Sequence, residues 1–419
     1  MYICVSKLQS LRLLMVVFLT VINALLSVIM IGILVTWIYF CLYIVRSFKR
    51  SPLLESIAVP WFNSPPKVSI IIPARNEENY IAKCLDSVLL QDYPNYEIIA
   101  VNDSSNDNTG KIIQTYSMRI PKVIGIDLEM KPDGWVGKNW ACYQGYLKAT
   151  GEILLFTDAD TVHSPSAMSL AIGHLQQQNL DAITAIPKLL CEDIWIRITL
   201  PILSTFLNTR FSALRVNNPK TKTGYFFGSF FAITRSTYEA IGTHKNVRSE
   251  LIEDGALGGK VKKSKFKMKM VRGEHYVTAV WARDLKSLWH GLRRLIIPLY
   301  NQNNLWTSMM VVSVFFLLLS PFLLLPYSLS LLFRGPDHYL VDQILVYSNV
   351  MTISVILLST AIQLRFGLSQ NPIYALACPL GSAIISLSFI SSILDANKID
   401  AVNWRDRHYT VNQSQHPLN

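Results

Sequence analysis

Charge is what this chain has least of. Asp, Glu, Lys and Arg make up 16% of its 419 residues, 51% are hydrophobic and mean hydropathy is +0.29. That balance excludes an ordinary soluble protein and a disordered one alike. The six cysteines, at positions 4, 41, 84, 142, 191 and 378, include no Cys-x-x-Cys. Neither a zinc site nor a disulfide framework is suggested, and a reducing compartment suits the soluble part. Glycine-rich phosphate loops are missing too. Where a dinucleotide-binding fold needs Gly-x-Gly-x-x-Gly after its first strand, the chain has Pro73-Ala74-Arg75-Asn76-Glu77-Glu78, and it has no Walker lysine there. A diphosphate bound here must be neutralised by other means.

What is present begins with long apolar runs. Residues 11–45 are almost uninterruptedly apolar and end at Arg46, Lys49 and Arg50. The run is too long for a signal-peptide core and has no clear cleavage site, so it reads as one retained membrane helix over about residues 20–45. Its basic flank places the following domain on the cytoplasmic side of the cell membrane. Further apolar segments lie near 306–333, 341–363 and 372–393, the first carrying Pro321 and Pro326 and reading as kinked or partly re-entrant. Four crossings would leave the C-terminal tail, with Arg405 and Arg407, opposite the central domain. Either one segment does not cross or the tail lies outside. The expected organisation is an anchor at 1–50, a proline-rich linker at 51–66, a catalytic domain at 67–300, a transmembrane region at 301–395 and a basic tail at 396–419. Within the central domain, residues 194–211 are apolar but interrupted by Arg197, Pro201 and Arg210, and read as an interfacial helix. In an integral membrane protein the net charge of +11 points to membrane lipids and an anionic substrate, not nucleic acid.

Residues 67–187 alternate strand and helix patterns. The run 68–72 is a buried strand, 77–91 places apolar residues at helical spacing, 96–101 is a second strand, and strands near 122–127 and 181–186 continue the alternation. This predicts an α/β fold with a mostly parallel sheet. Its ligand crevice lies at the strand C-termini, where Pro73 to Glu77, Asn102 to Asp107 and Asp158-Ala159-Asp160 converge. A divalent cation, Mn²⁺ or Mg²⁺, on Asp160 aided by Asp158 would supply the positive charge that a glycine loop does not.

With these motifs in hand, the chain resembles the family 2 inverting glycosyltransferases of GT-A fold. The likeness rests on Val68 to Glu78, Gln91-Asp92-Tyr93-Pro94, Asn102-Asp103 with Asp107 and Thr109, and Asp158-Ala159-Asp160. Gly134-Trp135-Val136-Gly137-Lys138-Asn139 and the tail from Val402 to Tyr409 look like the membrane-anchored, lipid-glycosylating subgroup, which includes ceramide glucosyltransferases and carotenoid- and hopanoid-associated transferases. The resemblance implies a UDP-type sugar donor and a lipid acceptor. Pro73, Ala74, Arg75, Glu77 and Asp103 would face the nucleoside, Asp158 the ribose or sugar, and Asp158 and Asp160 the metal. Lys138 would contact diphosphate or sugar, and its alternative is a solvated helix-start lysine. In Leu251-Ile252-Glu253-Asp254-Gly255, Asp254 matches the family's base, with Glu253 beside it. Processive synthases carry Gln-x-x-Arg-Trp after that pair. Here stands His290-Gly291-Leu292-Arg293-Arg294, which implies transfer of one sugar and leaves Arg293 and Arg294 as diphosphate candidates. Gly228 in the acceptor-side loop would permit close backbone approach, and His275 is a weaker metal or phosphate candidate. The rival readings are a polyprenyl-phosphate sugar transferase, which needs no base, and a non-catalytic membrane scaffold.

Overall fold

A computed structural model describes residues 2–57, 64–333, 340–396, 402–404 and 407–409, with side chains between residues 14 and 396. Arg405 and the side chains of Trp404 and Arg407 lie outside the described residues.

One helix, α1 (Tyr2–Arg50), opens the chain. Then β1 (Val68–Ala74), α2 (Ile81–Leu89), β2 (Tyr96–Asp103), α3 (Thr109–Arg119), β3 (Val123–Leu128), α4 (Gly137–Lys148) and β4 (Ile153–Phe156) alternate as the sequence pattern predicts. β5 (Val162–His163), α5 (Ala167–Gln177), β6 (Ala182–Ile186) and β7 (Lys188–Leu190) lead into α6 (Ile194–Phe211) and α7 (Ala213–Val216). β8 (Phe231–Thr234), α8 (Arg235–Ala240), α9 (Glu253–Lys263), β9 (Met268–Arg272) and β10 (Val277–Val280) complete the domain. Helices α10 (Leu285–Gln302), α11 (Asn304–Ser330), α12 (Leu340–Ile362) and α13 (Cys378–Asp395) follow, and β11 (Val402–Trp404) pairs with β12 (Arg407–Tyr409).

The main sheet has the order β3-β2-β1-β4-β8-β6-β9. β1 pairs in parallel with β2 and β4, and β2 with β3, so the site-bearing half is wholly parallel. β8, which the sequence pattern did not reveal, runs antiparallel between β4 and β6. The two-residue period of β1 explains its continuous apolar run. Ile70 and Ile72 enter the core with α2 and α5, while Ile71 enters the opposite core with α4 and α9. A small sheet, β5-β10-β7, was likewise not anticipated.

Among the described residues four helices are long and apolar enough to cross a membrane: Leu14–Arg50, Asn304–Phe333, Leu340–Gly367 and Pro372–Asp395. α11 is one continuous helix through Pro321 and Pro326, so the re-entrant expectation for it is corrected. α1 and α12 lie parallel along their length. At one end Asn23 Nδ2 donates to Asp342 Oδ1 at 2.6 Å, and at the other the rings of Phe48 and Phe366 are 6.4 Å apart. α11 is fastened to α1 by Trp37 Nε1 to the Leu317 carbonyl (3.1 Å) and by Tyr327 Oη to Asn23 Oδ1 (2.7 Å).

Pro372–Asp395 behaves differently. β7 and β10 pair in parallel, so α6 and α10 leave the small sheet from the same end. α13 packs on both: Gly381 lies so close to α6 that a Cβ there would sit 2.1 Å from the Ile198 carbonyl oxygen, and Asp395 pairs with Arg293 of α10 at 3.1 Å. Arg197 adds a bond to the Tyr374 hydroxyl at 3.1 Å. Both ends of this segment thus touch helices that leave the small sheet, and β11 lies beside α10. A reporter fused at the C-terminus should consequently share the side of one inserted in the catalytic domain, while one placed in the α11–α12 connection should lie opposite. Protease or labelling access in intact vesicles checks this.

Residues 194–211 form one helix, α6, but its apolar residues Ile196, Ile198, Leu200 and Ile202 are buried by protein, against α13 and α1. That buried face is answered by neighbouring helices, while Ile194 and Trp195 at the start of the helix stay exposed. The start of the expected linker is also fixed. Arg272 N donates to the Pro52 carbonyl at 2.7 Å, Arg272 Nη1 to the Phe48 carbonyl at 3.0 Å, Leu53 bridges Arg272 in parallel, and Leu54 is fully buried.

Candidate active site

The C-terminal ends of β1, β2 and β4 bring the expected loops to one crevice. Two of them are welded together. Arg75 Nη1 donates to the carbonyls of Asp103 (2.7 Å) and Ser104 (2.6 Å), and the Glu77 amide donates to Thr109 Oγ1 at 2.7 Å. Asn76 and Ser104 hold left-handed φ values of 53° and 51° to make this fit. Arg75, named as a nucleotide-sugar contact, thus shapes the pocket through the backbone of the neighbouring loop. Ala74, Glu77 and Asp103 are buried beneath it, with Pro73 half-buried beside them.

Lys138 opens α4, yet it is no solvated lysine. Its Nζ lies 2.7 Å from Asp158 Oδ1 and 2.6 Å from Glu253 Oε1, joining the donor-side acid to the acceptor-side pair. Asn139, fully buried next to it, donates through Nδ2 to the carbonyls of Val247 (2.8 Å) and Glu250 (2.9 Å). With the Val136 amide on the Arg248 carbonyl, this pins the segment that delivers Glu253 and Asp254.

Glu253 and Asp254 form the first turn of α9, where the helix dipole favours acids. Asp254 Oδ2 accepts from the Gly228 amide at 2.9 Å, and its Oδ1 from the Gly255 amide at 2.7 Å. Burial and the neighbouring Glu253 charge raise the Asp254 pKa to about 7. A carboxylate at that level can accept a proton near neutral pH. Gly228 is the meeting point: a Cβ on it would lie 2.9 Å from Lys138 Nζ, 3.0 Å from Asp254 Oδ2 and 3.3 Å from Asp158 Oδ2.

Asp160 is also raised to about 7, by burial and by the adjacent Asp158 charge. Such a pair welcomes a cation. Its donors are hard oxygens, and among the described residues no group of three or more His, Cys, Asp or Glu could hold a metal. The chemistry fits an ion that takes one or two carboxylates and completes its shell with phosphate oxygens and water, the habit of Mg²⁺.

One residue of the crevice escaped the sequence reading. Arg283, between β10 and α10, places Nη2 2.5 Å from Glu77 Oε2 and 3.6 Å from Asp160 Oδ2, with its guanidinium carbon 4.3 Å from the Tyr80 ring centroid. The available clue was Asp284, which caps α10 through Ser287 and marks a strand-to-helix junction at the preceding residue.

Other candidates fall elsewhere. Arg293 is engaged by Asp395, while the Arg294 charge reaches Tyr225 near Asp254. His275 pairs with Glu55 at 2.8 Å, away from the acid pair. In the lysine-rich stretch from Lys260 to Lys269, Lys262 binds the carbonyls of Val216 and Asn218, and Lys269 binds Gln178, so these two serve the fold.

Residues 69–242 match the family model for glycosyl transferase family 2. The 4,4'-diaponeurosporenoate glycosyltransferase of Staphylococcus aureus (strain bovine RF122 / ET3-1) is 24% identical over 352 residues, covering 83% of this chain and 89% of that protein. Its counterpart in strain USA300 is 24% identical over 351 residues with the same coverage. Among solved structures, a mannosyltransferase from Pyrobaculum calidifontis in complex with GDP-Man and Mn²⁺ superposes with TM-score 0.50 at 17% identity, over 88% of this chain and 98% of that one. The fold is of the GT-A type, with apolar helices at both ends of the chain.

Proposed function

We propose, from the premise that this chain is a glycosyltransferase carrying a family 2 domain at residues 69–242, that it moves one hexose from a UDP-type nucleotide sugar to a membrane lipid with inversion. The observation that carries the reading is the distance-defined chain Asp158–Lys138–Glu253 beside Asp254 and Gly228, which sets a donor-binding acid and a basic carboxylate around one backbone position.

In this mechanism the acceptor oxygen attacks the anomeric carbon from the face opposite the diphosphate. The new C–O bond forms as the bond to the diphosphate oxygen breaks, the electron pair leaves with UDP, and the acceptor proton passes to Asp254. Glu77, Asp103, Pro73 and Ala74 hold the nucleoside, and Asp158 with Lys138 orients the sugar. Asp160 with Asp158 would hold Mn²⁺ or Mg²⁺, which when bound stabilises the charge of the diphosphate. Arg294 faces the acceptor side.

The acceptor is a long apolar lipid bearing a hydroxyl or carboxyl group. This is supported by the four apolar helices and by relatives named for a carotenoid acid. The catalytic domain faces the cytoplasm of the cell membrane, supported by Arg46, Lys49 and Arg50 at the domain end of α1. Mass spectrometry of lipids from cells with and without the protein tests the reading; identical glycolipid profiles would defeat it.

The pH profile is a second check. The base must be unprotonated, so kcat/KM at saturating metal should rise with pH through about 7 and level off above it, following the raised Asp254 pKa. A profile flat between pH 5.5 and 8 would remove Asp254 from that role.

A further inference from the structure

We propose that Arg283 is a diphosphate ligand held on standby: it rests on Glu77 and Asp160 and passes from Asp160 to the nucleoside diphosphate when a metal-bound donor occupies the crevice. This deepens the functional reading above and rests on it.

The argument starts from placement. Arg283 stands at the same crevice as the acid pair, yet it comes from the junction of the small sheet with α10, not from any loop of the parallel sheet. Its two carboxylate contacts are unequal. Glu77, whose side chain is fully buried, is held at 2.5 Å, whereas Asp160 is at 3.6 Å. The looser contact is the one that can be given up, and the tighter one serves as a pivot. Tyr80 lies against the guanidinium, and the Arg283 side chain is still more than a third exposed, so a ligand can reach it.

Charge gives the shift its direction. Asp158 and Asp160 each already face a built-in cation, Lys138 and Arg283 respectively. A divalent ion on Asp160 competes with Arg283 for the same carboxylate. The anion that comes with that ion offers the displaced guanidinium a better partner, since the planar fork of arginine binds phosphate oxygens two at a time. Arg293, the sequence-level candidate for this role, is engaged by Asp395 on α13.

The test uses full-length, detergent-solubilised protein and reads binding, not turnover. Two titrations are run on wild type, Arg283→Ala and Arg283→Lys: Mn²⁺ without nucleotide, and UDP, with GDP alongside, at saturating Mn²⁺. Arg283→Ala should weaken diphosphate binding by about tenfold or more, the order of one charge-assisted hydrogen bond, and should tighten Mn²⁺ binding in the absence of nucleotide because its competitor is gone. Arg283→Lys should recover part of the nucleotide affinity. Opposite shifts in the two affinities are not what a loosened fold produces. If both fall together in Arg283→Ala, or if diphosphate affinity is unchanged, Arg283 is structural and the inference fails while the functional reading stands. If wild type binds neither nucleotide with Mn²⁺, the functional reading itself fails.

Discussion

Asp254→Asn should lower sugar transfer to a hydroxyl acceptor by about 10²- to 10⁴-fold, the range a positioned general base contributes, while leaving UDP and metal affinity within a few-fold of wild type. The amide keeps the shape and one acceptor oxygen for the Gly228 amide bond, giving up only the bond from the Gly255 amide on its own helix turn. What disappears is a carboxylate whose burial, together with Glu253, had raised its proton affinity into the neutral range. Initial rates with a radiolabelled donor, alongside UDP titration, separate the two effects. Retained transfer would identify an acceptor that is already ionised, a carboxylate or a phosphate, and would favour the polyprenyl-phosphate alternative. Loss of nucleotide binding together with rate would point to a damaged fold instead.

Gly228→Ala should cost about 100-fold in kcat, the scale associated with displacing reacting groups by an ångström. The added methyl would sit 2.9 Å from Lys138 Nζ and 3.0 Å from Asp254 Oδ2, both tighter than a methyl tolerates. Relief requires moving either the Lys138 bridge, which holds Asp158 and Glu253 together, or the base itself. The loop has little room to retreat as a whole. Gly224 lies directly against the Gly258 carbonyl, so the acceptor-side loop is already backed onto α9 by glycine-to-glycine contact. Circular dichroism and thermal stability should stay close to wild type while turnover falls; full activity in Gly228→Ala would mean that the methyl points into unused space.

How much of this could be read from the residues follows from where the chemistry is written. In the parallel half of the sheet, β1, β2 and β4 were legible because they are buried on both faces and so appear as uninterrupted runs such as Val68 to Ile72. β8 and β10 were not, since four residues of mixed polarity between loops carry no periodic signature. Asp158, Asp160, Glu253 and Asp254 announced themselves as motifs, and the structure brings them to one crevice. Arg283 did not, because its proximity to Asp160 is created by the small sheet. Lys138 was visible as a residue, but its double ion pair depends on α4 and α9 meeting across the crevice. The number of crossings was undecidable from hydropathy, since Pro372–Asp395 is as apolar as a span. The Asp395–Arg293 and Gly381–Ile198 contacts join it to α10 and α6, the two helices that leave the small sheet.

The clamp between α1 and β9 has a consequence for how a lipid is met. Because Arg272 holds the Phe48 and Pro52 carbonyls and Leu53 extends the sheet edge, the catalytic sheet is joined to its anchor by backbone pairing and not by a slack tether. The anchor then works as a stanchion that sets the elevation of the active site above the bilayer. An enzyme mounted in this way does not bend down to its acceptor. For the lipid acceptor proposed above, the reactive group would have to be lifted to a fixed height, so head length would join head chemistry in deciding which lipid is glycosylated.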